Sequence, residues 1–351
     1  MILIDGSYGE GGGQILRLSV ALSCITGEDI KVFNIRAKRD NPGLRPQHLT
    51  SIKIAGEICK AHVEGLSVGS TEIVFKPSTI SPRDSEFDVG TAGSVTLIMQ
   101  TILPILAFSE RRAEITLRGG TDVPWSPPID YVRFVMLPHL SRMSYYVEVD
   151  LLRRGHYPRG GGLVKVRNLN TPKGFTPLNM LERGEVRVVR GVSHSVKLPG
   201  DVALRQAESA KKLLVSRGVT APIDIKLETY KEGEDPHLGP GSGIVLWAET
   251  RNSILGSDSL GAKGKRAEVV GTEAAEKLIQ DLNYGVALDR HMSDNILIYL
   301  ALSEKPSTIT GAEYSMHAHT ALWVLRQFLK IEYEVSGELG KPFKLTIRPK
   351  Q

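Results

Sequence analysis

One phrase recurs three times along this chain: a helix-like run of small and apolar residues, followed closely by a β-rich run. It occupies residues 13–22 before 30–35, 93–106 before 113–117, and 293–302 before 307–309. Each copy is followed by a second helical pattern, at 46–60, 127–143 and 316–329, and then by further β-like sequence. The first two of these helices open at proline, whose missing N–H costs nothing in a first turn. The inferred unit is β-α-β-α-β-β.

The spacing is unequal: 80 residues separate Gly13 from Gly93, and 200 separate Gly93 from Ser293. Something of roughly 100 residues has been inserted before the third copy. Residues 179–281 supply it, with β runs at 185–192, 223–230 and 244–250 and helical patterns at 202–216 and 272–280. The glycine-rich acidic stretch 232–243 reads as an exposed loop. The expected fold is α/β (α+β): a discontinuous large domain of three repeats, 1–178 and 282–351, with a smaller α/β domain inserted at 179–281. A length of 351 residues agrees, because it exceeds what one core usually organises.

Composition excludes some function classes. Net charge is +5, but 44 basic against 39 acidic residues describe a balanced surface rather than a basic tail, so the placement of charge matters more than its sum. Cys24 and Cys59 lie in apolar, helix-like sequence without zinc-site spacing, and a reduced, intracellular protein is expected. No signal-peptide pattern and no run of eighteen apolar residues occurs, so the expected location is cytoplasmic, with no membrane association. Eight Asn and seven Gln are few for this length and hint at a thermophilic source.

The charge is concentrated near the start. Gly9-Glu10-Gly11-Gly12-Gly13-Gln14 leads into Arg17, and Arg36, Lys38, Arg39, Arg45, Gln47 and His48 follow. Glycines let backbone N–H groups approach a polyanion, a helix start offers its positive dipole end, and Arg forks grip phosphate oxygens in pairs. Asn41-Pro42-Gly43 forces a turn, so the arginines should converge on an anion rather than spread along one strand. Glu10 among these cations is a structural counter-ion or a ligand for Mg²⁺ or Mn²⁺. His317 begins the third unit's second helix, the position that Gln47 and His48 hold in the first, so both helix starts could meet in one cleft. It is a cap or core residue, or a nucleophile for an α-phosphate if a partner fixes its tautomer. His319 points elsewhere and reads as structural. Asp294 is a first-turn acid, a residue orienting His317, or a nucleotide contact. Gly119-Gly120 and Gly160-Gly161-Gly162 read mainly as tight turns, and neither a Walker A phrase nor a Rossmann fingerprint is present.

Taken together, Asp5-Gly6-x-x-Gly9-Glu10-Gly11-Gly12-Gly13-Gln14, Arg36-Ala37-x-Arg39-x-x-Pro42-Gly43-Leu44-x-x-Gln47-His48-Leu49, Gly93-Ser94-x-Thr96-Leu97-x-x-Gln100-Thr101 and His317-x-x-Thr320 resemble the RNA 3′-terminal phosphate cyclase family. The likeness runs through nearly the whole chain. It implies an enzyme that uses ATP and a divalent metal, Mg²⁺ or Mn²⁺, to turn an RNA 3′-terminal phosphate into a 2′,3′-cyclic phosphodiester through covalent histidine–AMP and RNA–AMP intermediates. By the resemblance, His317 is the nucleophile and Glu10 the metal contact. Gln100, His291, Asp294 and Pro128 would bind the nucleotide, and Arg17, Arg36, Arg39, Gln47 and His48 the phosphates of RNA or ATP. The family's fold, three α/β repeats with a smaller α/β insertion, agrees with the repeat count. Two positions depart from the family phrases: Ala321 stands where Asn is usual, and His291 where an aromatic residue is usual.

Two other readings compete. Relatives lacking the histidine serve as non-catalytic RNA- and protein-binding factors in ribosome biogenesis, which the presence of His317 argues against. An enolpyruvyl transferase built from similar repeats would need two nearly equal halves, which the unequal spacing disfavours. The expected partners are ATP and RNA ending in a 3′-phosphate; the oligomeric state is open, a homo-oligomer included.

Overall fold

The computed structural model describes residues 1–231 and 233–349; Glu232, in the predicted loop 232–243, lies outside the described residues. The first unit contains β1 (Ile2–Asp5), α1 (Gly13–Thr26), β2 (Ile30–Phe33), α2 (Pro46–Ile58), β3 (His62–Glu64) and β4 (Ile73–Lys76). Parallel pairing of β1 with β2 requires a crossover, and α1 provides it. β4 then runs antiparallel to both β2 and β3, giving the order β1-β2-β4-β3. α1 stops at Gly27, whose left-handed φ of 75° lets its N–H reach the Ser23 carbonyl.

The second unit repeats this plan: β5 (Ser85–Asp88), α3 (Val95–Ala107), β6 (Glu114–Gly119), α4 (Ile129–Tyr131), α5 (Leu137–Arg142), β7 (Val147–Arg153) and β8 (Gly162–Asn168), in the order β5-β6-β8-β7. The single helix expected over 127–143 is divided, because a π-helical turn at Val132–Met136 separates α4 from α5. Pro138, in the first turn of α5, has no N–H to continue the regular ladder.

β9 (Asn179–Met180) opens the third unit, and the inserted segment follows: β10 (Val186–Val196), α6 (Asp201–Ser216), β11 (Ile223–Glu228), β12 (Gly241–Thr250), β13 (Ile254–Leu260) and α7 (Ala267–Asn283). These strands form their own sheet, β11-β10-β12-β13. The chain returns through α8 (Met292–Asn295), α9 (Leu297–Ala301), β14 (Ser307–Gly311), α10 (Met316–Phe328), β15 (Ile331–Ser336) and β16 (Phe343–Pro349). β9 pairs parallel with β14, completing a third sheet, β9-β14-β16-β15, of the same pattern. The α/β fold of three repeats plus an insertion is therefore the one observed, and the insertion enters between the third unit's first strand and first helix.

α1 packs against α2, α3 and α10, so its ends are shared by all three units. One apolar cluster, including Ile4, Leu22, Val95, Leu103, Leu297, Leu322 and Leu345, runs through these units. The inserted sheet has a separate cluster around Val189, Leu214, Leu246 and Leu278. Where the two meet, Phe134 of the π turn stacks on Trp247 with ring centres 4.5 Å apart. Among the described residues, no helix is long and apolar enough to cross a membrane.

Candidate active site

The start of α1 is the meeting point, and glycine makes the approach possible. Gly9 has a φ of 55°, and a Cβ there would lie 2.3 Å from Thr320 Oγ1 on α10. A Cβ on Gly13 would lie 2.5 Å from His48 Nε2 on α2. Any side chain at either position would push a neighbouring helix away.

α10 begins at an N-cap, Ser315, whose Oγ accepts the Ala318 N–H and donates to Asp294 Oδ1 at 2.7 Å. That cap aims His317 at the glycine turn. Its Nδ1 lies 3.0 Å from Gln14 Oε1, and its Nε2 lies 2.9 Å from Glu10 Oε2. The other Glu10 oxygen receives Arg39 at 2.6 Å. Burial, then the charges of Arg17 and Arg39, depress the imidazole pKa, while Glu10 opposes them. Against the Glu10 carboxylate, Nε2 donates a proton; once that contact is given up, a neutral ring that keeps its proton on Nδ1, donated to Gln14, has its lone pair on Nε2. His319 faces away, between the hydroxyls of Tyr8 (3.2 Å) and Tyr314 (3.0 Å).

Several cations here outnumber their acids. Arg17 is half-buried, its pKa drawn down to about 10 by desolvation, and it has no ion-pair partner among the described residues. With Gln14, Gln100, Asp294, Asn295 and Ala321 it lines a small cavity. Gln100 there donates to Asn295 Oδ1 at 2.6 Å. Arg36, on a left-handed backbone (φ 54°), folds back onto the carbonyls of Asn41 and Gly43; burial and the charges of Arg45 and Arg39 lower its pKa. The Asn-Pro-Gly turn thus brings like charges together, which favours a bound anion. Lys38 reaches the Gly9 carbonyl.

Gln47 and His48 serve the scaffold in this structure. Gln47 Oε1 accepts the Ser94 N–H at 3.1 Å, joining the start of α2 to that of α3. His48 Nδ1 accepts the Arg45 N–H, and burial plus the charges of Arg17, Arg36 and Arg45 push its pKa down to about 3. It is neutral and lies beneath the glycine turn.

Asp294 is recessed under the start of α10. Burial, with the charges of Glu313, Asp289 and Glu10, pushes its carboxyl up to about 8, although the Ser315 hydrogen bond pulls the other way. His291 is exposed and lies edge-on to Tyr131, with ring centres 6.0 Å apart. Pro128 is buried at the start of α4, where its carbonyl accepts the Tyr131 N–H. Tyr131 is the residue common to both. Three members of this site escaped the sequence-based set: Gln14, Asn295 and Ser315. Gln14 lies within the glycine phrase and Ser315 two residues before His317, so the phrases held the signal.

A second group of ligating side chains, Asp122, His156 and His194, is buried elsewhere, with the two histidine Nε2 atoms 2.9 Å apart. Its cation is already present. Arg154 Nη1 reaches both Asp122 oxygens, and Nη2 pairs with Asp130 and Glu228. Burial and the Arg154 charge hold His194 well below its ordinary pKa, so this cluster suits an arginine-centred joint better than a further divalent ion. A cleft of about 330 Å³ between Lys60, Arg83 and Phe87 lies by the far end of α2.

The chain is similar to known proteins along nearly its whole length. A family model described as RNA 3′-terminal phosphate cyclase matches residues 8–335. A protein named RNA 3′-terminal phosphate cyclase from Ignicoccus hospitalis is 54% identical over 349 residues, covering 99% of this chain and 98% of its own. Proteins of the same name from Hyperthermus butylicus and Methanopyrus kandleri are 51% and 49% identical, the former covering 99% of this chain and 98% of its own and the latter 99% of each. With an α/β fold of three repeats and a match spanning almost its whole length, this chain belongs to the RNA 3′-terminal phosphate cyclase family of enzymes.

Proposed function

We propose that the protein uses ATP to convert an RNA 3′-terminal phosphate into a 2′,3′-cyclic phosphodiester, with His317 as the covalent nucleophile. The observation that carries this reading is the His317 ring: Nδ1 on Gln14, Nε2 turned toward Glu10, and unpaired Arg17 alongside. In the first step the Nε2 lone pair attacks the α-phosphorus of ATP and pyrophosphate leaves. A 3′-phosphate oxygen of RNA then attacks the same phosphorus, breaking the P–N bond and freeing the imidazole. Finally the vicinal 2′-hydroxyl attacks the 3′-phosphorus, losing its proton as AMP departs. The AMP cap supplies the leaving group that a bare phosphate monoester lacks, and the last attack is intramolecular.

Arg17, Arg36 and Arg39 would neutralise phosphate charge, with Gln47 and His48 fixing the helix starts behind them. Gln100, Asp294, His291 and Pro128 would frame the nucleotide, the last two around Tyr131. Glu10 fits a Mg²⁺ or Mn²⁺ role: it is one carboxylate, its side chain one-third exposed at the edge of the phosphate-binding residues, and Mg²⁺ commonly uses one or two carboxylates plus substrate phosphates. A divalent ion there would spread charge from the departing pyrophosphate. Engaging Glu10 elsewhere would also release Nε2 from its carboxylate partner.

The test is an oligoribonucleotide ending in a 3′-phosphate, incubated with the protein, ATP and Mg²⁺ or Mn²⁺. The expected product resists phosphatase and forms only with ATP. An end that stays phosphatase-sensitive while the RNA binds would favour a non-catalytic binding factor.

A further inference from the structure

Cys24 and Cys59, unremarkable in the sequence, are neighbours in the fold. Cys24 lies in the last turns of α1, and Cys59 caps the C-terminal end of α2. Both are buried, at 3% and 0% exposure, and their Sγ atoms lie 2.7 Å apart. Both sulfurs also turn toward one acceptor, the Ala55 carbonyl, at 2.8 Å from Cys59 and 3.9 Å from Cys24. Two thiols facing each other in an apolar core exchange only weak S–H contacts. No third His, Cys, Asp or Glu among the described residues joins them to make a metal site.

We propose that Cys24 and Cys59 form an intramolecular disulfide that ties the C-terminal ends of α1 and α2 together. The oxidant would be a low-molecular-weight disulfide such as glutathione disulfide. One cysteine thiolate attacks a glutathione sulfur and expels a glutathione thiolate; the second cysteine thiolate then displaces the remaining glutathione. Two protein thiols lose two protons and two electrons, and these leave on two molecules of glutathione thiol. Because neither sulfur is exposed in the folded chain, exchange takes place before α2 is fully docked on α1, and folding then shields the bond. An intracellular location does not preclude it, since intracellular proteins of hyperthermophiles are rich in disulfides.

The position gives the cross-link a purpose. The opposite ends of these helices carry Gly13, Gln14 and Arg17 on α1 and Gln47 and His48 on α2. A covalent tie 35 residues apart in sequence restricts the unfolded chain and holds the two helices together without touching the site.

The test uses the full chain, which has only these two cysteines. The reduced, unfolded chain is refolded by dilution into glutathione disulfide, then denatured in guanidinium with excess N-ethylmaleimide and no reductant, and its intact mass is measured. The expected result is no maleimide adduct and a mass two hydrogens below that of the reduced chain. Two maleimide adducts, a retained glutathione, or a disulfide-linked dimer would overturn the proposal. In a second arm, reduction in guanidinium and refolding under dithiothreitol should lower Tm by roughly 3–6 °C. Cys59→Ser should show that lower Tm whether or not oxidant is present. An unchanged Tm on reduction would count against the cross-link as a stabilising tie.

Discussion

At the residue scale, the proposed adenylylation needs Nε2 of His317 released from Glu10 while Nδ1 stays held. Gln14 Oε1 is the acceptor that holds Nδ1, so Gln14→Leu should slow adenylylation by on the order of 10²-fold without unfolding the protein. Single-turnover labelling checks this, and an unchanged rate would remove Gln14 from the mechanism. Asp294 makes a separate, thermodynamic point. Its carboxyl titrates at about 8 in the fold against 3.8 in the reference state, so its contribution to stability is present below 3.8 and is lost as pH rises through 8. Asp294→Asn, which keeps an acceptor for Ser315, should therefore raise Tm at pH 8–9 and leave it unchanged below about pH 3.8. Equal shifts at both pH values would contradict the assigned burial. Glu10, Arg17 and His317 were legible in the sequence because each sits in a phrase whose chemistry is unusual. The partnership of His317 with Gln14 was not, since 303 residues separate them and only the packing of α1 on α10 brings them together.

At the scale of elements, the start of α10 supports the whole site. Ser315 caps the helix and also satisfies Asp294, so Ser315→Ala should cost about 1 kcal/mol through the cap alone and misplace His317. Ser315→Thr should restore both Tm and labelling rate, a rescue that simple loss of packing volume would not show. Helix periods made α1, α2, α3 and α10 readable, because each has a clear apolar face and a Pro, Gly or Ser boundary. Other elements were obscured. The helix expected over 127–143 breaks into a π turn ahead of Pro138, and that over 293–302 divides at Ile296 into α8 and α9. β13 was missed because Ile254-Leu255-Gly256-Ser257-Asp258-Ser259-Leu260 offers small polar residues; its place in the sheet comes from pairing with β12.

At the scale of the molecule, three like sheets share α1, and the inserted sheet is joined to them by polar as well as apolar contacts. The repeat was visible in the sequence from its spacing. The joint was not, because Arg154, Asp122, Asp130 and Glu228 come from four separate segments and look like ordinary surface charges until folded. Arg154→Met would leave three carboxylates without their buried cation and should destabilise the chain by about 3–5 kcal/mol, measured by denaturant unfolding. A loss below 1 kcal/mol would show that water already reaches the cluster. Acid should also weaken the fold. His48 and His139 titrate at about 3 and about 4 in the folded chain, both lowered chiefly by burial. Depressed values mean that their stabilisation is present above the unfolded value of 6.5 and is lost as pH falls toward 3, so Tm should decline over that interval. Measured in the Asp294→Asn chain, which removes the opposing rise from that carboxyl, a flat Tm from pH 6.5 to 4 would contradict neutral, buried imidazoles.

The central claim is that His317 carries AMP, and the most direct measurement uses α-labelled ATP with Mg²⁺ or Mn²⁺ and no RNA. The account predicts acid-labile covalent label on the wild-type chain, none on His317→Ala, and discharge of the label when RNA with a 3′-phosphate is added. Label that persists in His317→Ala, or no label on either protein while ATP still binds, would contradict it.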